Sequence, residues 1–262
     1  MSMFRILALS TSAIALSATA AVAAPALGLV GDKTLVMFDT ETLAVSGTMD
    51  VTGVDSLLGI DLRPSNNTVV GVTPDMTIVS IDTATGEATE MSTMDTPLPV
   101  ADSQVIVDFN PAADRLRFMT DTTNHRVNVD TGEVTVDGSL DWVEGDMHMG
   151  ETPDIVAAAY INSYGQPEST AMYDIDATIA GLIQQTSPND GTLSAIGKLG
   201  LDAPAQAYAF DVQTTAELEN TAFLVNGNTL YTVDLATGAA TSVGMIEGVD
   251  GEIRDVTVLP AM

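Results

Sequence analysis

The sequence contains no cysteine. Disulfides and thiolate metal sites are therefore excluded, and stability has to come from the core that a 45% hydrophobic composition can supply. Basic residues are also scarce: 8 Lys and Arg face 36 Asp and Glu, for a formal net charge of −28. Such a field repels nucleic acid and anionic membranes and attracts cations and basic partners. No stretch reaches the ~20 consecutive strongly apolar residues that would span a bilayer, so no membrane insertion is expected. Histidine occurs only at His125 and His148, and tryptophan only at Trp142. Gly-x-Ser-x-Gly, His-Glu-x-x-His, phosphate-loop and EF-hand patterns are missing, which leaves carboxylate-only chemistry as the one enzymatic route.

The first residues read as a leader. A short polar start with Arg5 precedes the Ala/Leu/Ser-rich stretch Ile6 to Val22, and Ala21-Val22-Ala23 supplies a small-x-small cleavage pattern. Residues 1–23 are expected to be a secretory signal peptide. That leaves 24–262 as one domain, exported to the periplasm or the exterior and expected to be monomeric.

An internal repeat then sets the architecture. An alternating apolar run, an Asp and a small-residue turn recur as Thr34-Leu-Val-Met-Phe-Asp39, Thr77-Ile-Val-Ser-Ile-Asp82-Thr-Ala-Thr-Gly86, His125-Arg-Val-Asn-Val-Asp130-Thr-Gly132 and Thr229-Leu-Tyr-Thr-Val-Asp234-Leu-Ala-Thr-Gly238. A degenerate copy is Ala171-Met-Tyr-Asp-Ile-Asp176. Alternation is the signature of strands with one buried face, while Asp and Gly supply the turn. Copies spaced by roughly 40–50 residues match four-stranded propeller blades. A second strand family precedes each copy: Gly59 to Pro64, Ile106 to Pro111, Ile155 to Asn162 and Ala207 to Asp211. The first copy lacks that strand, and a spare one, Ile253 to Val258, stands at the C-terminus. The prediction is all-β, a five-bladed β-propeller of four-stranded blades closed by the C-terminal strand. The blades fall near 26–53 plus 252–259, 57–94, 104–140, 154–199 and 206–246.

Several of these segments resemble the uncharacterised bacterial domain of unknown function family 4394. The likeness is carried by Gly59-Ile-Asp-Leu-Arg-Pro64, Val107-Asp-Phe-Asn-Pro-Ala-Ala-Asp-Arg-Leu-Arg117, Arg126-Val-Asn-Val-Asp-Thr-Gly132, Pro188-Asn-Asp-Gly-Thr-Leu193 and Leu230-Tyr-Thr-Val-Asp-Leu-Ala-Thr-Gly238. It implies an exported repeat protein and brings no catalytic residue with it.

Candidate sites follow from the repeat. Asp61, Asp108, Asp211 and Asp255 occupy matching places in four first strands, which in a propeller line the centre. Converging carboxylates there either hold a hard cation such as Ca²⁺ or bond the backbone of adjacent blades. Arg63 lies two residues from Asp61, and alternation puts Arg117 on one strand face with Arg115; these serve as internal counter-ions or as a clamp for an anionic ligand. The segment Asp141 to Asp154 breaks the repeat, and its Trp142 could serve as a stacking platform or as a packed anchor. The adjacent Met147-His148-Met149 offers soft donors suited to copper. The expected function is non-enzymatic binding of a small ligand, a cation or an exported macromolecule on an acidic face formed by the blade-to-blade loops. The alternatives are a glycoside hydrolase using Asp61, Asp108 and Asp211, and a structural or surface-layer component.

Overall fold

The alternating runs become strands, each long enough to bury one row of side chains and short enough to turn at Asp or Gly. A computed structural model describes residues 24–99, 104–201 and 207–260, with 21 strands and no helix among them. The leader read at 1–23 lies outside the described residues. Blade one contains β1 (Pro25–Val30), β2 (Thr34–Asp39) and β3 (Val45–Asp50). Blade two contains β4 (Gly59–Arg63), β5 (Thr68–Val72), β6 (Thr77–Ile81) and β7 (Ala88–Thr93). Blade three contains β8 (Ile106–Asn110), β9 (Arg115–Thr120), β10 (Thr123–Val127) and β11 (Val134–Val136). β12 (Asp141–Trp142) precedes blade four, which runs through β13 (Ile155–Tyr160), β14 (Met172–Asp176), β15 (Gly181–Ser187) and β16 (Thr192–Lys198). Blade five contains β17 (Tyr208–Thr214), β18 (Asn220–Asn226), β19 (Thr229–Val233) and β20 (Ala240–Met245). The last strand, β21 (Ile253–Val258), returns to pair antiparallel with β1, with Gly28 opposite Val256.

The protein is a five-bladed β-propeller. Its sheets run β21-β1-β2-β3, β4 to β7, β8 to β11, β13 to β16 and β17 to β20 from the centre outward. The innermost strands β21, β4, β8, β13 and β17 pack side by side in a closed ring. By supplying the inner strand of blade one, β21 removes the edge that an open ring would leave. Blade four has an additional fifth strand, because β12 pairs parallel to the outer face of β16 through Asp141 and Trp142. The core is divided into five apolar wedges, one between each pair of adjacent blades. Phe109, Leu116 and Phe118 meet Val70 and Val72 between blades two and three, for example, and Phe210 and Leu224 meet Ile175 and Leu182 between blades four and five.

The recurring turn has a role in joining blades. Gly132 has φ +76°, and a Cβ there would lie 1.9 Å from the carbonyl oxygen of Thr93 in the preceding blade. The Asp95 N–H, just beyond that strand, donates to the Gly132 carbonyl at 3.0 Å. Glycine is needed both for the backbone angle and for the close approach. Blade one does without it: Leu43 takes the left-handed angle, φ 60°, and packs on Gly244 of blade five.

Two of the repeat assignments shift. In blade three the turn is closed by Asn128, whose carbonyl accepts the Gly132 N–H at 2.8 Å, as the Asp82 carbonyl accepts the Gly86 N–H at 2.7 Å. Asp130 lies two residues further on and pairs with Arg63. In blade four Ala171 to Asp176 falls on the second strand, β14, and not on the third; the true counterpart of the repeated turn is Ser187 to Gly191 between β15 and β16.

Candidate functional site

An innermost strand has a sheet partner on its outer edge only, so the N–H groups of its inner edge need other acceptors. Aspartates supply them. The Asp61 carboxylate accepts from Phe109 N–H at 2.7 Å, that of Asp108 from Tyr160 N–H at 3.0 Å, that of Asp211 from Val258 N–H at 2.6 Å and that of Asp255 from Ile60 N–H at 2.7 Å. Each aspartate thus joins its own inner strand to the inner strand of the next blade. Blade four has Ala159 at this place, and the blade four–five contact is made instead by Asn162 and Asn220, whose side chains bond each other at 2.9 Å.

These partners also set the levels of the ring. Phe109, Tyr160 and Val258 each follow the position equivalent to Asp61, which makes Asp108, Ala159, Asp211 and Thr257 its counterparts. Asp255 is therefore one level away from the other three, a correction to the fourfold match expected from sequence. Its carboxylate fits because blade two has Gly59 there; a Cβ on Gly59 would sit 2.8 Å from the Asp255 oxygen. Thr257 completes the Asp61 level, donating its hydroxyl to Asp61 at 2.9 Å and accepting from Leu62 N–H at 3.0 Å.

One carboxylate oxygen from each of Asp61, Asp108 and Asp211 lies within 4.8 Å of the others, and all three side chains are buried. No Lys or Arg among the described residues forms an ion pair with any of them. Burial, then the charge of Asp211, raises the Asp61 carboxyl well above its usual range. Burial, then the charges of Asp61 and Asp211, does the same to Asp108. Burial lifts Asp211 to about 6 and Asp255 to about 7, against the backbone N–H bonds that favour their ionised forms.

Beside Asp61 and Asp211, a cavity of about 320 Å³ opens at the C-terminal ends of the inner strands. Ser65, Asn67, Gln213 and Thr214 add polar walls, and Tyr164 stands at its side. This is the end opposite the blade-to-blade loops, where the acidic binding face was expected. At that other end Gln104 spans the ring, its amide donating to the carbonyls of Tyr208 at 2.5 Å and Arg254 at 2.7 Å. Residues 100–103 and 202–206 of those loops lie outside the described residues.

The remaining candidates have structural partners. Arg63 is bidentate on Asp114 and also bonds both oxygens of Asp130, tying blade two to blade three. Arg117 is buried and donates to Asp137, Asn124, Tyr160 and Asn189, joining blades three and four. Neither faces the cavity as an anion clamp. Trp142 is 6% exposed within the wedge between blades three and four, so it is an anchor and not an open platform. Glycoside hydrolysis requires two carboxyls roughly 5–9.5 Å apart across the sugar. Asp61, Asp108 and Asp211 are buried, and each is bonded to the backbone of the next blade.

Sequence reasoning missed Thr257 and the cavity walls Ser65, Asn67, Gln213 and Thr214. These residues carry no motif and gather only when the ring closes.

The family model for a domain of unknown function, DUF4394, matches residues 34–257, nearly all of the propeller. The chain belongs to the DUF4394 family. No curated protein matches this DUF4394 sequence. Among solved structures it is similar to a structural genomics protein of unknown function from Bacteroides thetaiotaomicron, with 15% identity and TM-score 0.53, over 90% of this chain and 66% of that one. Others are a protein of unknown function from Bacteroides caccae (10% identity, TM-score 0.45, 87% and 76% covered) and an auxiliary nutrient binding protein from Bacteroides ovatus (13%, 0.45, 82% and 58%). The DUF4394 chain thus spans a little under two thirds of the first of these proteins. At such identities the first likeness shows the fold alone.

Proposed function

We propose that this chain acts outside the cytoplasm as a non-catalytic binding propeller that holds Ca²⁺, or the cationic group of a small ligand, at Asp61, Asp108 and Asp211. The observation that carries the reading is the crowding of three buried carboxylates beneath a cavity of about 320 Å³, with no basic side chain among the described residues paired to them. Three charges that close need protons or a cation between them. Oxygens that share one Ca²⁺ ion at ~2.4 Å stand no more than about 4.8 Å apart, a limit that one oxygen from each of the three aspartates meets. Asp61 and Asp211 already accept N–H bonds on both oxygens, whereas among the described residues Asp108 accepts on Oδ1 only, which makes its Oδ2 the best-placed ligand atom. The leader-like residues 1–23 support export, and the acid-rich composition draws cations toward the ring.

Thermal unfolding of the protein with excess Ca²⁺ and with a chelator, at matched ionic strength, tests this. A site filled at 100 times its Kd adds about 2.7 kcal/mol, a rise of roughly 5–10 °C for a domain of this size. Asp108→Asn should abolish the Ca²⁺-dependent part. An unchanged midpoint in the native protein would mean that these acids serve only to bond neighbouring blades.

A further inference from the structure

The loop joining blades three and four carries a donor set that the ring centre does not use. It is fixed on blade four: Val143 N–H donates to the Leu193 carbonyl at 2.8 Å, and Asp146 Oδ2 accepts from Ala195 N–H at 2.9 Å. The other Asp146 oxygen accepts from His148 N–H at 3.0 Å, and Met149 N–H returns to the Asp146 carbonyl at 3.2 Å. Met147, His148 and Met149 therefore sit on one anchored turn.

His148 is oriented from two sides. Its ring lies against the indole of Trp142, with centroids 5.1 Å apart and planes tilted by 40°. Its Nδ1 is 2.9 Å from Glu151 Oε2. An ionised carboxylate can only accept, so Nδ1 carries the proton, and the tautomer that this bond selects has its lone pair at Nε2. Among the described residues the His148 backbone donates to Asp146 and accepts from Glu151 N–H at 2.9 Å, and the ring bonds through Nδ1, with no hydrogen bond at Nε2. A carboxylate behind the imidazole is the usual support of a metal-ligating histidine. On either side of it are thioethers that packing does not explain: Met147 is 82% exposed and Met149 59% exposed.

We infer that this turn binds Cu(I), with the thioethers of Met147 and Met149 and Nε2 of His148 as ligands. Thioether and imidazole together select a soft monovalent ion over Ca²⁺ or Mg²⁺, which prefer oxygen, and over Zn²⁺, which binds thioether poorly. Glu151 is a positioning residue, and the site is separate from the aspartates at the ring centre.

Trp142 is the only tryptophan in the chain, which makes the site self-reporting. The full chain is titrated with Cu(I) kept reduced by ascorbate, against a chromophoric Cu(I) chelator, while Trp142 emission is followed. One equivalent should quench the emission saturably. The double variant Met147→Leu/Met149→Leu should bind at least about 100-fold more weakly with an unchanged melting temperature, since both side chains are exposed. Glu151→Gln should weaken binding by about 10–100-fold, because it removes the carboxylate that orients the imidazole. Absence of saturable quenching in the native chain overturns the proposal, as does equal affinity in the double variant. Zn²⁺ binding as tight as Cu(I) binding and indifferent to the methionines would also overturn it, marking an imidazole–carboxylate site instead.

Discussion

Asp174 on β14 is fully buried, and neither carboxylate oxygen meets a hydrogen-bond donor among the described residues. Burial pushes its carboxyl to about 8, with the nearby charge of Arg117 pulling the other way. An acid whose folded pKa exceeds its unfolded value destabilises the fold wherever the unfolded chain would ionise. The penalty begins near pH 4, grows by up to about 1.4 kcal/mol per pH unit and levels off above about pH 8. Lowering the pH from 8.5 to 5.5 should therefore raise the melting temperature, and Asp211 and Asp255, also raised, bend the profile in the same direction. Stability should fall again only at lower pH, where carboxylates held down by their partners, such as Asp114 beside Arg63, take up protons. Asp174→Asn should melt higher than the native protein at pH 8, and the gap should narrow steadily as the pH falls toward 4. A difference between the two that stays constant with pH would sink this account.

At the scale of the element, the turn of one blade resting on its neighbour makes Gly132 the most sensitive turn position. Gly132→Ala forces a Cβ toward the Thr93 carbonyl and strains a positive φ, and should cost about 2–4 kcal/mol in denaturant unfolding. Gly145→Ala, at φ +89° with open space around it, should cost only the strain, about 1 kcal/mol. The strands themselves were legible in the sequence because alternation reports which face is buried. What alternation does not report is a slip of two residues, since residues i and i+2 point the same way. Two mismatches are such slips: Asp130 stands two residues beyond the turn position held by Asn128, and Asp255 two residues before the ring position held by Thr257. In both a conspicuous aspartate outranked the residue whose hydrogen bonds define the position. The third, Ala171 to Asp176, is a whole strand out, because β14 alternates as its neighbour β15 does. Asp61, Asp108 and Asp211 were legible as a set because each strand repeats the same local need for an acceptor. The two-residue strand β12 has too little length for any period, and the cavity draws on blades one, two, four and five, which no local pattern brings together.

For the whole molecule, self-repulsion and closure are the opposing effects. A net charge of −28 on a ring this size disfavours the compact state, and salt screens it, with a Debye length near 10 Å at 0.1 M. Raising NaCl from about 10 to 500 mM should lift the melting temperature measured by circular dichroism, and a flat response would mean that the acids are neutralised locally. Closure rests on β21, whose pairing with β1 is extended by the Leu259 N–H bond to the Pro25 carbonyl at 2.8 Å. A chain ended after Gly251 would expose the inner edge of β1 and the wedge residues Ala26, Val36 and Phe38, which share a core with Ile253, Val256 and Val258 in the intact protein. It should lose the single cooperative transition and aggregate at concentrations where the intact protein does not.

That clasp also dictates an order of events in time. Blade one is the first to leave a ribosome or a translocation pore and the last able to finish, because its inner strand is encoded some two hundred residues later. A contact of such high order makes folding slow. Through that delay the early strands stay open to binding partners, so a holding chaperone that recognises unpaired β edges would find this protein a long-lived client until its final residues arrive.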